Sequence, residues 1–103
     1  MTGVERIATE RKRQIESEGW SAEHDDSHDH GELARAAACY ALNGDNQTAT
    51  VGKNAVVIDL IKLIWPWDWK WWTPSPVNRI RELEKAGALI AAEIDRLLRQ
   101  GDL

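Results

Sequence analysis

Two stretches hold most of the side chains that could bind or transform a ligand. The first, Glu23 to Glu32 (EHDDSHDHGE), has eight of ten side chains able to hold a metal or move a proton. On a helix, His24 and His28, Asp25 and Asp29, or His28 and Glu32 would share a face at i, i+4, a spacing that can place two ligands on one ion. The structural reading is capping: Asp25, Asp26 or Asp29 can accept from free N–H groups at a helix start, where the dipole favours acids. Caps and polar ligand contacts fit the stretch better than a closed metal shell, so no metal site and no cofactor are expected. Its carboxylates would suit a loosely held Mg²⁺, its histidines Zn²⁺ or Ni²⁺.

The second stretch, Trp65 to Trp72 (WPWDWKWW), has five indoles in eight residues. A prolyl, irregular segment lies at the surface and alternates its side chains, so these rings cannot all enter one small core. Trp65 and one or two others plug the end of a helical bundle. At least one of the rest lines a pocket, where an indole offers a flat face to a nucleobase. Lys70, Arg79 and Arg81 add charge that could meet a phosphate, and the N-terminus of the following helix favours anions. A ligand site therefore emerges from Trp20, His24, Asp25, Asp26, His28, Glu32, Trp65, Trp67, Trp69, Lys70, Trp71 and Arg79, with no catalytic residue assigned. Glu84, Glu93 and Asp95 lie on the rims of the last helix, where solvated ion pairs are the ordinary role and a Mg²⁺ site made with Glu32, as in enzymes that cut nucleoside triphosphates, is the functional one. The single cysteine, Cys39, sits in an alanine-rich face as a small core residue without a local base.

Four helices would carry these residues. Thr2 with Glu5 forms a capping box for a helix over residues 3 to 18, and Gly19 supplies its left-handed stop. Ser21 can cap a short turn through the charged stretch. Glu32 to Leu42 reads as a small-faced helix, and residues 43 to 54 (NGDNQTATVGKN) as a loop. In 55 to 65 the strand formers Val56, Val57 and Ile58 compete with an i, i+1, i+4, i+5, i+8 pattern, and helix is the better fit. Ser75 and Pro76 start the last helix, whose stripe of Ile80, Leu83, Gly87, Ile90, Ala91, Ile94, Leu97 and Leu98 runs to the C-terminus. Gly87 marks a close helix crossing. The expected fold is an all-α compact bundle of three long helices plus one shorter apolar helix, a single domain over 1–103, with Leu33, Tyr40, Ile80, Leu83, Ile90 and Ile94 as core.

The 103 residues carry a formal charge of -4, the wrong sign for gripping nucleic acid over a whole surface. Asp59 and Lys62 interrupt the longest apolar stretch, so no membrane span is expected. One cysteine and a charged N-terminus without the pattern of a secretory signal point to the cytoplasm.

Five blocks resemble a widespread family of small bacteriophage and prophage accessory proteins: Glu10 to Trp20 (ERKRQIESEGW), Glu23 to Asp26 (EHDD) with His28, Gly31 to Ala41 (GELARAAACYA), Trp65 to Trp67 (WPW), and Lys85 to Leu97 (KAGALIAAEIDRL). The resemblance implies a phage protein made in the bacterial cytoplasm, in a class that includes inhibitors of host defence. It implies no settled activity. Three functions fit this context. The chain could sequester a nucleotide-derived signal, as a monomer or homo-oligomer. It could be a MazG-like Mg²⁺-dependent nucleotide pyrophosphohydrolase, although it lacks a clean ExxE and ExxD pair. It could inhibit a host enzyme through the tryptophan loop.

Overall fold

The computed structural model describes residues 1–44 and 47–101. Asp45 and Asn46 of the expected 43–54 loop, and Asp102 and Leu103 at the end of the segment expected to be helical to the C-terminus, lie outside the described residues.

Local signals set most helix ends. Helix α1 (Gly3–Ser17) opens on the Thr2 capping box: the Thr2 hydroxyl accepts from the Glu5 N–H, and the Glu5 carboxylate accepts from the Thr2 N–H. Gly19, at φ +72°, ends it, and the Trp20 N–H turns back to the Gln14 carbonyl at 3.1 Å. Helix α2 (Ala22–Asp26) starts on Ser21, whose hydroxyl accepts from the His24 N–H. Helix α3 spans Glu32–Leu42. The last helix, α5 (Arg79–Arg99), is capped by Asn78 rather than Ser75, and begins three residues later than Pro76 suggested.

The segment before the tryptophans corrects the all-α expectation. Strands β1 (Thr48–Val51) and β2 (Val56–Asp59) form an antiparallel hairpin with Thr48 opposite Asp59 and Val51 opposite Val56. Only Leu60–Ile64 becomes helical, as α4. Val56, Val57 and Ile58 follow their β-branched preference for extended backbone. Asp59 is a cap, accepting from the Ile61 and Lys62 N–H groups, rather than a residue inside a longer helix. The fold is thus mostly helical with a two-stranded sheet, and a 3₁₀ turn over Trp69–Trp71 completes it. Among the described residues no helix is long and apolar enough to cross a membrane.

The core lies between α3 and α5. Leu33, Ala36, Ala37 and Tyr40 face Ala86, Leu89 and Ala92, and the alanines let the two helices approach closely. Leu33 and Tyr40 are buried as expected. Ile80, Leu83, Ile90 and Ile94, expected in the core, are instead 58%, 46%, 49% and 52% exposed. Helix α5 carries two apolar stripes on opposite sides, and the small one meets α3. Helix α1 crosses α5 at Gly87, where an added Cβ would lie 2.5 Å from Cδ1 of Ile7, so the close crossing read from that glycine is present.

Candidate ligand-binding site

Helix α2 and the tryptophan loop, far apart in sequence, meet through stacked rings. Trp20 stacks on His24 with centroids 5.6 Å apart, and His24 meets His28 edge-on at 4.9 Å. His28 contacts Trp67 at 5.1 Å, and Trp67 meets Trp65 at 5.5 Å. Trp65 in turn packs on Tyr40 and Trp72 at the edge of the core. The spacing that suggested a shared metal for His24 and His28 thus serves an aromatic chain. Among the described residues, no three His, Cys, Asp or Glu side chains converge as metal ligands.

This chain walls an open cleft of about 940 Å³. Trp20, His24, His28, Trp65, Trp67, Lys70 and Trp71 line it, so seven of the twelve residues expected in a site come together. The other five do not line it. Asp25 is fully buried and accepts from Arg11, while Asp26 accepts from Arg99 and Glu32 faces His28 and the His30 N–H. Trp69 lines a separate cavity of about 450 Å³ with Trp72, Asn43 and Lys62. Arg79 donates to the carbonyls of Tyr40, Ala41 and Asn43, satisfying the end of α3.

Sequence reading missed most of the polar wall, Glu10, Arg13, Gln14 and Glu18 of the first helical segment with Lys85 of α5; Arg81, read as charge that could meet a phosphate, also lines it. Glu10 and Gln14 are each only 2% exposed. Their i, i+4 spacing was visible, but in a run of charged residues it looks like a solvated face. Glu10 accepts from Arg13 through two bonds of 2.7 and 2.9 Å, from Arg81 at 2.6 Å and from Gln14 at 3.1 Å. Burial pushes its carboxyl pKa up, but the hydrogen bonds and charges of the two guanidiniums outweigh this and hold it below its ordinary value.

Lys85 has a different setting. Its ammonium donates to the Thr73 carbonyl at 2.6 Å and lies 5.5 Å from the Tyr40 ring centre. Burial pushes its pKa down, and Arg81 adds to the effect. Lys70 sits 5.3 Å over the Trp71 ring. Neither lysine has a carboxylate within ion-pair distance among the described residues, unlike Arg13 and Arg81. Four cations face three carboxylates in the lining, in a chain whose net charge is -4. Two of the lining residues carry a buried polar atom without a partner among the described residues, the acceptor Oε1 of Gln14 and the donor Nε1 of Trp67. Cys39 is buried outside the cleft and burial pushes its thiol up to about 11, so it supplies no thiolate at neutral pH.

The chain matches no protein-family model, no curated protein and no solved structure.

The Glu10 cluster sets an acid limit on stability. Its folded-state pKa lies below the ordinary 4.5, so its contribution is present above pH 4.5 and is lost as pH falls through the folded value. The expected melting temperature is therefore lower below pH 4.5 than at neutral pH, with part of that fall absent in Glu10→Gln, which is less stable at pH 7. Parallel loss in the two proteins on acidification would remove Glu10 from this role.

Proposed function

We propose that the protein binds a nucleotide-type small molecule in this cleft and holds it without consuming it, as a phage-encoded counter-defence protein that sequesters a signal. One observation carries the reading: an aromatic wall and two lysines without carboxylate partners share an open volume of nucleotide size. A base stacks on the indoles and phosphates meet Lys70 and Lys85. The resemblance of the EHDD, WPW and KAGALI blocks to phage accessory proteins supplies the context.

The engagement of the acids supports binding without turnover. In the cleft wall Glu10 and Glu18 are held by Arg13, while Asp68 caps the Lys70 N–H. The carboxylates a MazG-like enzyme would use are committed elsewhere: Glu84 to Arg6 and Arg81, Glu93 to Arg96, and Asp95 to Arg11. No observation favours that second reading.

The test is recovery. Purified protein is incubated with a panel of mono-, di- and cyclic nucleotides with and without Mg²⁺, the complex is isolated, and the protein is denatured by heat. Intact nucleotide released at no more than one per chain is expected. Cleaved product in excess over protein would replace sequestration by hydrolysis, and the absence of any retained nucleotide would sink the proposal.

A further inference from the structure

Helix α5 presents to solvent the aliphatic stripe that periodicity assigned to the core. Ile80, Leu83, Ile90, Ile94 and Leu98 are each 46% to 58% exposed, and Val77 just before the helix is fully exposed. The stripe runs about 27 Å along the helix. Ile7, seated on Gly87, carries the surface onto α1, where Val4 one turn earlier is 78% exposed.

We propose that this α5–α1 face is the surface on which a second copy of the chain docks, giving a two-fold symmetric dimer. Area carries the argument: half-exposure of five large aliphatic side chains leaves on the order of 500 Å² of apolar surface, and with Val77, Val4 and the polar rim the face approaches the ~800 Å² per partner of a stable interface. A two-fold arrangement buries the same patch on both subunits and leaves neither copy open for further addition. The cleft takes Arg81, Lys85 and Leu89 from another side of α5, so docking leaves both clefts open. This inference does not depend on what the cleft binds.

Light scattering after size exclusion, at roughly 50 μM where mass action favours association, tests it. Wild type is expected at twice the 11.6 kDa chain mass. The double variant Ile90→Glu with Ile94→Glu is expected at the mass of one chain, with unchanged helical circular dichroism. Leu63→Glu, at a residue of α4 that is 67% exposed outside the patch, is expected to remain dimeric. If the double variant loses its helical signal, Ile94→Lys alone is read in its place. A monomeric wild type overturns the proposal, as does a dimer that survives the α5 substitutions or is lost equally in Leu63→Glu. A wild-type monomer that instead binds vesicles containing anionic lipid would assign the stripe to a bilayer surface, and also overturns it.

Discussion

Asp25→Ala is expected to destabilise the protein by about 3 kcal/mol, more than any other single carboxylate removed from the EHDDSHDHGE stretch. Asp25 is fully buried and accepts from Arg11 at 3.2 Å, with His24 Nδ1 3.1 Å from its other oxygen. The Arg11 guanidinium is largely buried, and its Nε and Nη1 have no partner among the described residues. Removing the carboxylate leaves that charge with Asp95 at 3.6 Å, a half-exposed and screened partner. In a chain of this length the loss corresponds to a fall in melting temperature of roughly 12–20 °C. Asp95→Ala is the control, with an expected cost below about 1 kcal/mol. Equal melting temperatures for the two variants would mean that water, not Asp25, satisfies Arg11. The pair Arg11→Met with Asp25→Leu is expected to regain most of the loss, because it removes both charges together.

The second large effect concerns ligand affinity, and it separates three indoles that look equivalent in the sequence. Trp71→Ala is expected to weaken nucleotide binding about 10- to 100-fold, the value of one stacked base. Its ring lines the cleft yet is 61% exposed, so the fold barely depends on it. Trp67→Ala is expected to lose at least as much affinity and stability as well, since this ring packs against the core and links His28 to Trp65. Trp69→Ala should leave affinity unchanged, because the ring lines the other cavity. Titration by intrinsic fluorescence, paired with thermal melts, reads all three. Undiminished affinity in the Trp71 and Trp67 variants would place any bound nucleotide outside the cleft.

What could be read in advance followed the range of the interactions. The Thr2 box, the Gly19 stop, the Ser21 cap and the small-residue face of α3 depend on residues within a few positions, and each forms as its sequence indicates. The indoles and histidines of the cleft stood out because their chemistry is unusual at any position. Glu10, Gln14 and Lys85 did not, because a charged residue on a helix looks solvated until the opposing wall is known. Trp69 and Arg79, expected in the same site, lie outside the cleft, a matter of loop geometry that composition does not encode.

The sequence by itself determined where α1, α2 and α3 begin and which residue types could meet a ligand, since capping, turn chemistry and side-chain functionality act locally. Tertiary structure alone decided three things. It resolved Val56 to Asp59 as a strand, because pairing with Thr48 to Val51 satisfies backbone groups that a helix would have satisfied internally. It joined α2 to the tryptophan loop through one chain of rings. It also chose between the two apolar stripes of α5: periodicity favours the larger side chains, but the alanine face of α3 admits only the small stripe at close approach, leaving Ile80, Leu83, Ile90 and Ile94 outside.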